Sequence, residues 1–158
     1  MPNGEVFSFL SGLYFRGKLT YARTFANDDG IRVITSNRGL VSPDERITLT
    51  DLRGLSRGSI DPDKPNYRRP FLRDARSLVG DEVEVVLLGS IATGKYVDLL
   101  IDVFGPRLLF PEGFVGRGDM SRGGLMLRAA RSGEELTYRP VLGAVRHGQR
   151  PPKLTPLR

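Results

Sequence analysis

The sequence predicts one α/β domain, a three-layer sandwich built on a mainly parallel, Rossmann-like sheet. Segment 82–105 carries most of this prediction, because an apolar strand run, a glycine loop and an amphipathic helix follow one another directly. Strand and helix patterns also alternate along the rest of the chain, which is typical of parallel sheets covered by helices on both faces. A chain of 158 residues suits a single domain that can bury a core without disulfides.

The N-terminal part predicts a strand followed by a helix. Apolar and polar residues alternate over residues 5–10, which favours a short strand ended by Gly12. From Phe15 to Ala26, apolar residues recur at helical spacing and define one face. The opposite face carries basic side chains, Lys18 among them. The pattern therefore predicts an amphipathic helix with one apolar and one basic face.

A β-branched run at 31–35 predicts the next strand, and a polar loop with a glycine follows at 36–39. Ligands in open α/β sheets bind at the carboxyl ends of the strands. Asn37 and Arg38 are therefore predicted to bind ligand.

Residues 40–66 show no regular pattern, and a stretch of this length is often a lid or a binding loop. A helix is predicted to begin near Pro70 and to reach Val79. Its remaining surface carries a cluster of arginines that only Asp74 offsets: Arg68, Arg69, Arg73 and Arg76. The cluster predicts either a phosphate-binding patch or a solvated helix face.

The central segment has the spacing of a phosphate-binding loop between a predicted strand at 83–88 and a helix. Its predicted ligand-binding residues are Gly89, Gly94, Lys95 and Tyr96. Tyr96 stands where a nucleoside triphosphatase needs Ser or Thr to hold Mg²⁺. Three interpretations are open: a triphosphatase, another use of the loop for an anion or nucleotide, and a chance match.

In the last third of the domain, the sequence predicts a strand, a helix and a second strand in that order. Residues 107–110 form a short strand, 120–131 have a helical pattern, and 137–145 suit an edge strand, where a proline is tolerated. The glycine-rich stretch 112–124 requires a backbone that turns sharply or approaches another group closely.

Asp119 is the predicted catalytic residue of this glycine-rich stretch. Arg117 and Arg122 flank it, and two guanidinium groups would hold the carboxylate ionised and could clamp a phosphate. Both arginines are therefore predicted ligand-binding residues. The alternative is that Asp119 caps the helix that follows.

Composition excludes several classes of site. The chain has no cysteine and one histidine, so disulfides, thiolate metal sites and cysteine nucleophiles are ruled out. No metal site and no cofactor are predicted. The N-terminal sequence has the pattern of neither a secretory signal nor a membrane span. We therefore expect a cytoplasmic protein with no membrane partner.

Net charge points to an acidic partner. The formal charge is +6, and the chain from Tyr138 onward contains basic residues but no acid. Residues 148–158 are predicted to be a basic, proline-containing tail that follows an α/β domain at 1–147. Such a tail favours a nucleic acid partner through its phosphates. The alternative is that arginine is simply used for solvated surface.

Several short motifs spread over about two thirds of the chain carry a family resemblance. They are residues 13–19, 34–41 with the Pro-Asp pair at 43–44, Gly94-Lys95-Tyr96 with Leu100, 111–113 and 116–123. On these motifs the chain resembles small bacterial and phage α/β domains that are distantly similar to the peroxide-stress-response protein family. The cysteine-containing motif usual after the first strand of that group reads Phe9-Leu10-Ser11-Gly12. The resemblance implies an α/β fold, a site at the strand ends and nucleic acid involvement.

These observations predict a nucleotide- or nucleic-acid-binding α/β domain that acts on a base or a glycosidic bond. The alternative is a non-catalytic module that binds a partner protein, and a triphosphatase is a third interpretation. Whether the chain is an enzyme, and its oligomeric state, stay open at this point.

Overall fold

The computed structural model describes residues 3–45, 60–80, 83–91 and 94–144. Helices of these residues are α1 (Asn3–Phe25), α2 (Pro65–Ser77), α3 (Gly94–Phe104) and α4 (Asp119–Ser132). The strands are β1 (Val33–Ile34), β2 (Leu40–Val41), β3 (Val85–Val86), β4 (Leu108–Pro111) and β5 (Tyr138–Pro140). Short 3-10 turns lie at Asp28–Gly30, Gly105–Arg107 and Glu112–Phe114. The fold is mixed α/β, and none of the described helices has the length and apolarity to cross a membrane.

Helix α1 includes residues 5–10, so the strand predicted there is wrong. An alternation of six residues is too short to distinguish a strand from the start of a helix. Adding residues to an existing helix costs little, because nucleation is the unfavourable step. The strong helical pattern after Phe15 therefore extends toward the N-terminus, past Gly12.

The described strands do not form the single, mainly parallel sheet that the sequence predicts. Strands β3, β4 and β5 make one small sheet, in which β3 and β4 are parallel and β5 is antiparallel at the edge. Strands β1 and β2 form a separate antiparallel pair, with Val33 opposite Val41. The prediction that 31–35 and 83–88 belong to one sheet is therefore wrong.

A tight turn explains why β1 pairs with β2. The backbone N–H and the hydroxyl of Thr35 donate to the carbonyl of Gly39 at 3.0 and 2.9 Å, and the hydroxyl also accepts from the N–H of Arg38 at 2.9 Å. Gly39 has φ +72°, in the left-handed region that glycine adopts readily. These contacts reverse the chain immediately after β1. The loop that was expected to follow a parallel strand is therefore a hairpin turn.

Helix α2 begins at Pro65 rather than near Pro70, which lies inside it. Pro65 occupies the first helical turn, where a missing N–H costs nothing. The buried face consists of Tyr67, Phe71, Leu72 and Ala75. The helix ends at Ser77, so Val79, where the sequence predicts its end, lies beyond it and is 43% exposed.

Two apolar clusters form the interior. The larger one lies between α2, α3 and the β3-β4-β5 sheet, and the smaller one packs Tyr21 of α1 against Phe114 and against Met126 of α4. Helices α1 and α4 cross closely at two glycines, since a Cβ on Gly17 would lie 2.8 Å from the carbonyl oxygen of Gly123. This crossing brings polar residues of both helices together.

Candidate functional site

The contact between α1 and α4 assembles a group of polar and charged side chains. Tyr14 and Lys18 come from one face of α1, at a spacing of one helical turn. Asp119 and Arg122 come from the first turn of α4, and Tyr96 comes from the first turn of α3. The charges and hydroxyls of these five residues influence one another electrostatically. We call them the lysine junction.

Arg122 is the structural anchor of the lysine junction. Its side chain is 9% exposed, and its Nε and Nη2 donate to the carbonyl oxygen of Phe114 at 3.3 and 3.2 Å. Its guanidinium also lies 5.6 Å from the centre of the Phe114 ring. Two of the Arg122 nitrogens that the sequence predicts to bind a ligand therefore form hydrogen bonds between α4 and the preceding turn. The third nitrogen, Nη1, lies 3.9 Å from Oδ1 of Asp119.

Lys18 is half-buried at the junction. Its Nζ lies 4.0 Å from the centre of the Tyr14 ring, and the Tyr14 hydroxyl donates to the carbonyl of Leu88 at 3.3 Å. The pKa of Lys18 is lowered to about 8, mainly because burial disfavours the charged form; the negative charge of Asp119 opposes this effect, and the positive charge of Arg122 adds a smaller decrease. A lysine with this pKa is partly neutral near pH 8.

Asp119 is the exposed carboxylate of the junction, with a side chain 72% exposed. The helix cap is Gly118, and Asp119 is the first residue within α4, so the alternative that Asp119 is the cap is wrong. A carboxylate in the first turn is favoured by the helix dipole. Burial raises the pKa of the Tyr96 hydroxyl, and the charge of Asp119 raises it further. Tyr96 therefore stays protonated at neutral pH.

Segment 89–95, which has the spacing of a phosphate-binding loop, does not have the local structure of such a loop. Gly89 is buried, and a Cβ there would lie 3.3 Å from the Tyr96 ring. The carboxylate of Asp98 folds back against Gly94 at the start of α3. A negative charge thus already occupies the helix end where a phosphate would bind. The side chain of Lys95 is exposed, and its carbonyl accepts from the Tyr67 hydroxyl at 2.6 Å.

Arg117 also uses its donors locally. Its Nε donates to the carbonyl of Gly113 at 2.8 Å, and its Nη1 donates to the hydroxyl of Ser121 at 2.9 Å. These bonds shape the glycine-rich turn before α4. They leave Arg117 fewer free donors for a ligand than the sequence suggests.

A second polar surface lies on helix α2. Arg68, Arg69, Arg73 and Arg76 are all exposed, and we call them the arginine face. Asp74 does not neutralise this surface fully, because its Oδ2 accepts from the backbone N–H of Leu40 at 3.0 Å while its Oδ1 pairs with Arg73 at 3.0 Å. Within the described parts of the chain, Arg69 and Arg76 form no ion pair.

Asn37 lies beside the arginine face. It lines a groove of about 720 Å³ together with residues from the first half of α2, which are Pro65, Asn66, Arg69, Pro70 and Arg73. A neighbouring groove of about 420 Å³ also runs past Arg68 and Arg76. Arg38 lies in the same hairpin turn as Asn37 and is half-buried.

Some of the predicted site residues lie together in two groups, whereas Gly89, Gly94, Lys95 and Arg117 make the local contacts described above. The structure brings Tyr96, Asp119 and Arg122 together, and it places Asn37 with the arginines of α2. Neither Lys95 nor Arg122 lines the groove that contains Asn37. His147 and the tail at 148–158 lie outside the described residues, so the domain boundary at 147 stays a prediction.

Sequence reasoning missed Tyr14 and Lys18 as site residues. The available signal was their spacing of four residues, which stacks an aromatic ring and a lysine on one side of a helix. That signal was too weak to use, because burial of Lys18 depends on a helix about one hundred residues further along the chain. Among the described residues, no three His, Asp or Glu side chains form a group that could hold a metal ion.

Comparison of the chain with protein families, with curated proteins and with solved structures finds no match. The resemblance to the peroxide-stress-response group therefore stays a prediction, and the candidate site stands on its own geometry.

Proposed function

We propose that this α/β domain binds nucleic acid through the arginine face of α2. The observation that carries the proposal is the concentration of four exposed guanidinium groups on one side of a single helix. The one acid of this helix, Asp74, pairs with Arg73 and also accepts from the backbone of β2, so it offsets only one of the four charges. Arginine suits this role because its planar fork of donors matches phosphate oxygens in pairs. Contacts of this kind supply affinity without sequence preference.

The groove beside the arginine face adds groups that can contact bases. Asn37 and Asn66 line it together with Arg69. Amide side chains both donate and accept hydrogen bonds, and they read base edges that a phosphate-binding arginine alone cannot distinguish. The groove therefore supports binding of a nucleic acid over binding of a simple anion.

Action on a base or glycosidic bond is a further part of the proposal, and it places the chemistry at the lysine junction. Asp119 offers an exposed carboxylate there, beside a lysine that is only partly charged near pH 8. A carboxylate and a partly neutral amine can move protons to and from a reacting group.

The salt dependence of binding tests the arginine face directly. Fluorescence anisotropy with labelled single-stranded DNA, duplex DNA and RNA is measured over a series of salt concentrations. The double substitution Arg69→Ala, Arg76→Ala should weaken binding at least tenfold near 0.1 M salt. It should also reduce the slope of log K against log salt by about 1.5, because each lost phosphate contact removes about 0.7 to 0.9 from the slope.

The matched control is Arg16→Ala, Arg131→Ala, which removes the same charge from exposed positions on α1 and α4. It should keep the wild-type slope. Equal losses in both double variants would mean that only net charge matters. No binding of any of the three oligonucleotides would contradict the proposal and favour the protein-interaction module.

A further inference from the structure

Three members of the arginine face form a single line along α2. Arg69, Arg73 and Arg76 are exposed and are spaced at i, i+4 and i+7, so they lie on one side of the helix. At a rise of 1.5 Å per residue, the line is about 10 Å long and its members follow one another every 4.5 to 6 Å or so. Arg68 lies about a quarter of a turn to one side. We call the three residues the arginine line.

The groove of about 720 Å³ runs along the other side of the arginine line, away from Arg68. Asn66 and Pro70 lie on that side of α2, and Asn37 lines the groove from the hairpin turn between β1 and β2. Among the described residues, no acidic side chain lines this groove. Next to a line of cations, the groove therefore offers amide and proline groups, which suit a base better than a phosphate.

A contact between the hairpin turn and α2 shapes the groove. The backbone N–H of Leu40 donates to Oδ2 of Asp74 at 3.0 Å. Gly39 lies so close to α2 that a Cβ there would be 2.6 Å from the carbonyl oxygen of Pro70. These contacts hold the turn that carries Asn37 beside the helix. A groove formed before binding lowers the ordering cost of taking up a ligand.

We propose that the arginine face binds single-stranded nucleic acid and that one unpaired base of the strand enters the groove beside Asn37 and Asn66. This choice of ligand rests on the proposed function and narrows it. The phosphates of the strand follow the arginine line, and the base turns across the line into the groove. Arg69 lines the groove and belongs to the line, so its guanidinium can stack on the base or pair with a phosphate.

A duplex fits these features less well than a single strand does. The phosphates of a duplex form two rows, which are separated by a major groove about 12 Å wide or a minor groove about 6 Å wide. The described surface of α2 has one line of three cations. Paired bases are also stacked inside the duplex, whereas a single strand can place an unstacked base in a depression of the protein.

Binding of four labelled probes of equal length tests the proposal. They are single-stranded RNA, single-stranded DNA, duplex DNA and a base-free DNA backbone with tetrahydrofuran in place of each nucleoside. Fluorescence anisotropy measures their affinity for the full-length protein over a series of salt concentrations. At least one intact single strand should bind about tenfold or more tighter than both the duplex and the base-free backbone. The intact and base-free single strands should have the same salt slope, because their phosphate contacts are the same.

A variant of the groove separates base contacts from phosphate contacts. Asn66→Ala removes an exposed amide and keeps every arginine. It should weaken binding of the intact single strand by roughly fivefold or more, and it should leave the base-free backbone and both salt slopes unchanged. The matched control is Asn27→Ala, which removes an exposed amide that does not line the groove. It should keep the wild-type affinity for every probe.

The outcomes that would overturn the proposal differ from those that would reject the proposed function. Equal binding of the intact and base-free strands, or tighter binding of the duplex, would contradict the single-strand assignment and keep the arginine face as a phosphate-binding surface. A preference for intact strands that is unchanged in Asn66→Ala would exclude the groove as the site of the base. No binding of any of the four probes would reject the proposed function itself.

Discussion

At the scale of single residues, the environment of Lys18 decides its chemistry. The sequence places this lysine on the basic face of a helix, where it would be fully charged. The structure half-buries this side chain, and loss of hydration disfavours the ammonium form more than the charge of Asp119 favours it. The free energy of unfolding should therefore depend on the charge of this one side chain.

Lys18→Met should stabilise the protein at pH 7, by up to about 3 kcal/mol, because it removes a charge whose burial is unfavourable. The folded-state pKa of about 8 lies below the usual value of 10.5. Between these pH values the folded wild type releases the proton while the unfolded chain keeps it. Wild-type stability consequently rises with pH in this window, and the advantage of the variant should shrink. Urea denaturation at pH 7 and pH 9.5 measures both differences.

Lys95→Met is the control for this prediction, because the Lys95 side chain is exposed. Its free energy of unfolding should stay within about 0.5 kcal/mol of wild type at both pH values. A variant at position 18 that is less stable than wild type at pH 7, or equally stabilised at both pH values, would contradict the account of Lys18.

At the scale of elements, a pair of glycines determines how closely two helices approach. Gly17 lies in the middle of α1, where the intrinsic preference of the helix favours alanine by about 1 kcal/mol. A Cβ at this position would lie 2.8 Å from the oxygen and 3.0 Å from the Cα of Gly123, and backbone atoms cannot move aside independently. The close crossing of α1 and α4, and with it the lysine junction, therefore depends on Gly17.

Gly17→Ala should lower the free energy of unfolding by about 1 to 3 kcal/mol, because the helices must separate to admit the methyl group. The higher helix propensity of alanine alone would make the variant more stable. The sign of the change in the free energy of unfolding therefore shows which of the two effects is larger. Gly30→Ala is the matched control, since no atom lies within 4 Å of the added carbon. Thermal or urea denaturation of both variants provides the measurement, and a stabilised Gly17→Ala would show that α1 and α4 are further apart.

At the scale of the whole molecule, hydrogen bonds between distant segments join the first helix to the last strand. The Tyr21 hydroxyl accepts from the backbone N–H of Leu136 at 2.9 Å and contacts the Tyr138 hydroxyl, which itself donates to Glu135 at 2.8 Å. Since Tyr138 has only one proton to give, Tyr21 is the donor between the two tyrosines. Burial raises the pKa of both hydroxyls, so the network stays protonated at neutral pH.

Tyr21→Phe should destabilise the protein by about 1 to 3 kcal/mol, because it leaves the Leu136 N–H without its partner. Tyr138→Phe should cost less, about 0.5 to 1.5 kcal/mol, since the bond between Tyr21 and Leu136 survives. Urea denaturation near pH 7 gives both values. The opposite order would mean that the Tyr138 hydroxyl, through its bonds to Tyr21 and Glu135, contributes more than the bond between Tyr21 and Leu136.

Most helices and strands could be predicted from the sequence, because the spacing of apolar residues and the residues that begin or end a helix are local properties. The pattern after Lys95 predicts α3 and the stop at Gly105, and the pattern after Met120 predicts α4. The arginine face is visible for the same reason, since its members share one short helix. The part of the site that could be predicted, Tyr96 with Asp119 and Arg122, lies in or beside such elements.

Strand pairing and burial were decided only by the tertiary structure. The turn at Thr35 to Gly39 pairs β1 with β2 instead of the central sheet, and it depends on contacts that no hydrophobic pattern records. Lys18 is half-buried where α1 meets α4, although about one hundred residues separate it from α4 in the chain. Periodicity determines which residues share a face, whereas the partner of that face depends on packing between distant segments. For this reason the sequence by itself determined the elements and the arginine face, and only the tertiary structure decided the sheets and the lysine junction.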